Sequence, residues 1–435
     1  MRGQLIAIAV LGFAALAAAQ TPDPGLLAAI NHTRAIDDHA HPRALAVNGR
    51  ADDDYDALPC APLEPTDSTI TGRLDNPELI AAWKDLYAYP FNDTAPGHVR
   101  ALVAAKAAKQ RQLGNAYPAW VLDRLGIETE FANRQAPGPG IAPPRFRWVP
   151  FDDALLLPLD TSALAAQSPD RKIFYAREHA LLARYLGQRN IPASLADYLS
   201  QIVTPTLESQ RRAGAVAIKF ESAYLRALDF KPPNFAAASA LYARFHDSGV
   251  LTPSQYYQLE DAIFHQIALD AGRLGLPVQF HTGVGCGRYF MLTGANPLLL
   301  EGVFNDPSLR GTNFVMLHGG AGPYSKAVAA LLMKPNVYTD FSEQTYLMPT
   351  YQVAQVIRYW LEYFPERVMF GTDLSPGTPE NDWEESGWIA NHNGRRALAI
   401  TLTGMMNDGE ITRPRALELA QMVLRGNALR LYRPQ

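Results

Sequence analysis

His39 and His41 stand one residue apart in residues 36–42, which read as the end of a short apolar strand. In an extended strand residues i and i+2 share a face, so both imidazoles aim at one point. Two neutral imidazoles so aimed are half of a metal site. In a chain with ten histidines an H-x-H pair alone says little. Its weight comes from later apolar runs that end the same way. Residues 278–281 end in His281, residues 314–318 in His318 and residues 367–373 in Asp373, while residues 216–220 carry Lys219.

The elements that must position these side chains are short, apolar and rich in β-branched or aromatic residues, as a buried parallel sheet requires. Helical periodicity alternates with them. Leu259, Ile263, Ile267, Ala271 and Leu274 recur every three or four residues before Gly275 and Pro277 end the pattern. Residues 337–341 read as another strand, and residues 352–364 and 413–425 as helices. Earlier, residues 127–131 and 145–151 read as strands, separated by a Pro/Gly stretch at 135–140 that cannot be helix.

After the first strand, residues 43–126 are polar and helical and read as an insertion over one end, a lid. Its acidic cluster, Asp52, Asp53, Asp54 and Asp56, reads as a solvated loop, and residues 99–113 as a solvated helix. The expectation is an α/β chain folded as a (β/α)8 TIM barrel, with a long helical insertion after strand 1 and an irregular strand 2–3 connection. In such a barrel the C-terminal strand ends converge at one mouth. His39, His41, Lys219, His281, His318 and Asp373 all follow the apolar part of their strands.

Three imidazoles and one carboxylate suit Zn²⁺, and Fe²⁺ or Mn²⁺ are also compatible. Such an ion lowers the pKa of a bound water to about 7 and polarises a carbonyl. Asp373 is then the group to take the water's proton and pass it to a leaving group. His318 is either a further ligand or a hydrogen-bond donor to the developing oxyanion. Arg226 and Arg288 are candidate holders of an anionic substrate. Gly283, Gly285 and Gly287 give a flexible loop that lets backbone approach a ligand, without the helix start of a phosphate-binding fingerprint. His179 and His265 sit within helices and read as structural or solvated, and His32, His98, His246 and His392 fall in no pattern.

The chain has 435 residues, a net charge of −4, 48% hydrophobic and 19% charged residues, an ordinary globular composition. No basic patch stands out, which argues against a nucleic-acid partner and leaves a small-molecule substrate, with homo-oligomers open. Met1-Arg2-Gly3 precedes an apolar run at 5–19 that closes in Ala17-Ala18-Ala19. That pattern is a signal peptide over residues 1–19, giving a periplasmic or secreted mature chain from 20 to 435 with no stable membrane anchor. Cys60 and Cys286 are the only cysteines; export permits a bridge between them, and the sequence leaves their pairing open.

The motifs D-D-H-x-H-P at 37–42, F-H-T-G at 280–283, L-H-G-G at 317–320 and F-G-T-D at 370–373 together resemble the amidohydrolase superfamily. More narrowly they resemble its amidohydrolase-2 branch of metal-dependent TIM-barrel hydrolases, whose usual ending residues 425–432 also resemble. The likeness runs from about residue 213 to the C-terminus and through the His39 motif, and is poor over 43–126. It implies a metal held by His39, His41, His281 and Asp373, with His318 beside it in catalysis. In binuclear members a lysine ending the fourth strand is carboxylated and bridges two ions. Lys219 falls there, or serves as a substrate cation or a partner for Glu221; one ion is the expectation and two the alternative. The implied activity is an exported hydrolase attacking an amide or other C–N bond of a small polar substrate. One rival is a decarboxylase of the same branch, with Arg226 or Arg288 clamping the departing carboxylate. The other is a non-catalytic ligand-binding protein, which has no need of Asp373 as a base.

Overall fold

Eight strands form among the described residues: β1 (Ala35–Ala40), β2 (Ile127–Asn133), β3 (Phe146–Val149), β4 (Ile218–Phe220), β5 (Val278–Gly283), β6 (Phe314–Ala321), β7 (Val337–Asp340) and β8 (Val368–Met369). The structure is a computed structural model and describes residues 21–46, 50–65 and 68–433. The stretch read as a signal peptide lies outside the described residues. β1 to β3 pair in parallel, and so do β4 to β8.

Backbone bonds outside these ladders close the ring. Val216 donates to Trp148 O at 3.0 Å and Lys219 to Pro150 O at 2.9 Å, joining β3 to β4. Asp38 donates to Phe370 O at 3.1 Å and Asp373 to His39 O at 2.8 Å, joining β8 to β1. The fold is therefore the expected (β/α)8 barrel. Its strands are buried on both faces, which is why they read as continuous apolar runs. Tyr432, in the C-terminal helix Asn427–Tyr432, accepts from Gln279 Nε2 at 2.9 Å and donates to Asp38 Oδ2 at 3.2 Å. These bonds tie the end of the chain to β1 and β5.

The outer helices follow their sequence signals. Pro253–Leu274 starts with a capping box between Thr252 and Gln255 and stops where Gly275 takes a left-handed conformation. It buries Leu259, Ile263, Ile267 and Ala271 in the main apolar core. The helix expected over 352–364 spans Thr350–Leu361, and that over 413–425 spans Arg413–Gln421 and continues as a π turn, Met422–Gly426.

Between β2 and β3 there is no helix. The Arg134 guanidinium organises that connection, bonding Asp52 at 2.7 and 3.0 Å and the carbonyls of Pro42 and Ala136 at 2.9 and 3.0 Å. Asp54 in turn pairs with Arg184 at 2.6 Å. The acidic cluster is thus a clamp between insertion and barrel rather than the solvated loop expected, because two guanidiniums meet its carboxylates. The insertion holds the helices Pro77–Tyr87, Pro96–Leu113 and Tyr117–Leu125. Pro96–Leu113 buries only Leu102 and Lys106, and Lys106 pairs with Glu385 at 2.7 Å. A Cys60–Cys286 disulfide, spanning 226 residues, fastens the insertion to the loop after β5.

Candidate active site

At the C-terminal mouth of the barrel His39, His41, Lys219, His281, His318 and Asp373 line one cavity of about 470 Å³. β1 presents both histidines of its H-x-H pair. His39 Nε2 lies 3.0 Å and His41 Nε2 3.4 Å from the same oxygen, Asp373 Oδ1. The rings of His281 and His318 are 4.7 Å apart, and His318 is 5.0 Å from His39. Ligand atoms of His39, His318 and Asp373 lie within 4.8 Å of one another and form a potential metal-binding triad. All four imidazoles are thus brought together, and His318 stands among the donors closest to one another.

Hydrogen bonds behind the rings fix which nitrogen faces the cavity. His41 Nδ1 lies 3.1 Å from the Tyr55 carbonyl, a pure acceptor, so Nδ1 donates to it and Nε2 is the nitrogen turned to the cavity. Ser342 Oγ donates to Asp340 Oδ1 at 2.7 Å and therefore accepts from His318 Nδ1 at 2.8 Å. His39 Nε2 sits 3.4 Å from the Lys219 ammonium, which can only donate. Asn133 Nδ2 stands 2.8 Å from His39 Nδ1, and His39 Nε2, the nitrogen that faces the cavity, is nearer to Asp373 Oδ1 at 3.0 Å. His281 Nε2 is buried with no hydrogen-bond partner. Burial, then the Lys219 ammonium, push His281 down to about 3, so it stays neutral at ordinary pH. Burial likewise lowers His39 and His318. Imidazole nitrogens converging on one buried carboxylate are the donor set that a divalent transition metal takes, so these residues fit the group.

The carboxylates of the D-D motif lie behind the site. Asp37 accepts from Thr372 Oγ1 at 2.5 Å and Thr372 N at 2.9 Å, which holds the end of β8 ahead of Asp373. Asp340 accepts from His318 N at 2.6 Å. Burial raises Asp37 to about 7 and Asp340 to about 6. On the cavity side the Tyr346 hydroxyl donates to Asp373 Oδ2 at 3.0 Å, leaving Oδ1 to the imidazoles.

Two expected substrate holders are elsewhere. Arg226 is 3% exposed, bonded to Glu260 at 2.8 Å and Asp261 at 2.9 Å, and packed against the rings of Phe230 and Tyr257. Adjacent carboxylates on the Pro253–Leu274 helix consume its guanidinium. Arg288 is exposed and donates to Pro65 O at 2.8 Å, a link to the insertion. Neither lines the cavity. Gly283 also has a different reason from the one expected: at φ +92 a Cβ there would stand 2.3 Å from Ala321 N, so β6 backbone, not a ligand, requires it.

The structure adds residues to the site. Asp56, Glu221, Tyr224, Glu343 and Tyr346 line the cavity with the histidines. Glu343 and Ser342 follow β7, and the rule that polar residues after a strand face the mouth applies to them as it does to His318. Tyr346, on the one-turn helix Gln344–Leu347, and Asp56, on the insertion, carry no such signal.

The Amidohydrolase family model matches residues 170–433, more than half of the chain. A metal-dependent hydrolase, so assigned, from Lactobacillus casei superposes with a TM-score of 0.57 at 15% identity, covering 94% of this chain and 97% of that one. A glucuronate isomerase from Caulobacter crescentus gives 0.55 at 15% identity, covering 94% and 93%, and a uronate isomerase from Thermotoga maritima 0.54 at 12%, covering 94% and 98%. Protein fluG of Emericella nidulans is 30% identical over 159 residues, 36% of this chain; the match spans only 17% of that protein's length.

Proposed function

Because this chain belongs to the Amidohydrolase family, we propose that it is a metal-dependent hydrolase acting on an amide or other C–N bond of a small polar substrate. The observation that carries the reading is the convergence of four imidazoles and Asp373 on one cavity. The shared fold does not choose the reaction, since isomerases are built on it too. His39, His41, His281 and Asp373 would hold one zinc ion, with His318 adjacent. When bound, a divalent ion supplies Lewis acidity for activating water and polarising a carbonyl. The protein's own residues do the rest. Asp373 takes the proton of the attacking water and delivers it to the leaving nitrogen. Tyr346 holds Oδ2 so that the carboxylate keeps one orientation. His318, anchored through Ser342 and Asp340, faces the carbonyl oxygen. A decarboxylase reading loses the clamp expected of it, because Arg226 and Arg288 are engaged outside the cavity.

Residues 1–19 act as an export signal, the protein works in the periplasm or outside the cell, and residues 43–126 form a lid. The disulfide supports export, since such bonds persist in oxidising compartments. Among the described residues no helix is long and apolar enough to cross a membrane.

The test is metal content followed by turnover. Purified protein reconstituted with zinc should bind about one ion per chain and hydrolyse members of a panel of simple amides. Two ions with a carboxylated Lys219 would replace the single-ion assignment. Retention of under a tenth of an equivalent would remove the site, and tight ligand binding without turnover would make this a binding protein.

A further inference from the structure

With Asp373 committed to the imidazoles, the carboxylates left on the cavity wall among the described residues are Asp56, Glu221 and Glu343, against Lys219 as the one ammonium. Among the described residues no arginine lines it. Lys219 is 1% exposed and already engaged, 3.4 Å from His39 Nε2 and 3.8 Å from Glu221 Oε1. Two carboxylate oxygens on this wall, Glu221 Oε2 and Glu343 Oε2, are buried with no hydrogen-bond partner. Glu221 is 4% and Glu343 7% exposed, so bulk water does not serve them. The nearest basic nitrogen recorded for Glu343, His318 Nδ1, is 4.0 Å away and bonded to Ser342. His318 within β6, Glu343 after β7 and Asp373 after β8 also each have positive φ, 64°, 58° and 56°. Non-glycine residues seldom adopt that backbone, and two of these three already belong to the proposed chemistry.

An unpartnered buried carboxylate beside a reactive centre is a vacant acceptor for a cation. An anionic group entering here finds no guanidinium fork to receive it. We propose that the cavity takes amides whose acyl part carries a primary ammonium group, received by Glu343 with Glu221 adding to the acidic wall. This deepens the hydrolase reading and rests on it for the fate of the substrate. A site built to pair one charged group rejects analogues that lack it, because its own carboxylate is then left unsatisfied.

Matched probes test this on the full chain loaded with zinc. The 4-nitroanilides of alanine, N-acetylalanine and N-succinylalanine differ only at the amine. Alanine 4-nitroanilide should exceed both others in kcat/KM by about tenfold or more, and Glu343→Gln should cut that ratio to about threefold or less. Equal or faster turnover of the acetylated or succinylated probe overturns the proposal, and so does a ratio that survives Glu343→Gln. Calorimetry with alaninamide and N-acetylalaninamide separates this proposal from the hydrolase reading. If no anilide is cleaved, the hydrolase reading falls. Tighter binding of alaninamide by about tenfold, lost in Glu343→Gln, then still upholds the ammonium site, while equal or absent binding removes it. Should Glu343→Gln fail to fold, the wild-type ratios decide, and Glu221→Gln should lower them in the same direction.

Discussion

Asp373 shows how one side chain can be divided between two tasks. Oδ1 faces the imidazoles of His39 and His41, while Oδ2 takes the Tyr346 hydroxyl at 3.0 Å. Asp373→Asn keeps the size and an oxygen but removes the base. Turnover should fall by about 10² or more, with zinc content nearly unchanged because the imidazoles remain. Survival of turnover in that variant would rule out Asp373 as the proton carrier. Tyr346→Phe only frees Oδ2, so kcat should drop by about threefold to tenfold while KM and metal content hold. A rise in KM alone would make Tyr346 a substrate contact instead. His281→Ala removes a donor whose Nε2 has no other partner, so metal and activity should disappear together.

Among the elements, the insertion after β1 is the one whose position bears on function. Cys60 and Cys286 both line the cavity, and their disulfide ties the insertion to the loop after β5. Arg134, Arg184 and Arg288 add polar links across the same seam. Opening the disulfide should lower stability by about 2–4 kcal/mol, read as a fall in Tm with reductant or in Cys60→Ser/Cys286→Ser. If the insertion is a lid, the same change should raise KM by about threefold or more with kcat less affected. A fully reduced protein with unaltered KM would show that the insertion covers the barrel without gating it.

Across the whole molecule, the barrel keeps an unusual number of acids away from water, and this sets its response to pH. Asp152 follows β3; its Oδ1 accepts from Gln210 at 2.7 Å and its Oδ2 has no partner. Burial raises it from 3.8 to about 7. A carboxyl raised on folding binds its proton more tightly in the native state. Its contribution is therefore complete below pH 3.8 and is lost as pH climbs through about 7. His281, lowered from 6.5 to about 3, works the other way, with its share of stability lost as pH falls through that window. Asp152→Asn isolates the first effect, since an amide oxygen still accepts from Gln210. Relative to wild type it should be neutral near pH 4 and more stable by on the order of 2–4 kcal/mol at pH 8, measured by denaturant unfolding. A pH-independent difference would mean that Asp152 is charged throughout. From the sequence alone the barrel, its irregular second connection and the six polar residues at five strand ends were legible, because each is a local signal: an apolar run, a period, a polar residue past the apolar part of a strand. Parallel closure then brings such ends together whatever lies between them. Three things were decided by tertiary packing alone. Arg226 was claimed by Glu260 and Asp261, Cys60 met Cys286, and Tyr346 reached the cavity. Which partner a buried charge or hydroxyl finds depends on which distant segments are driven against it, and no periodicity in the chain records that.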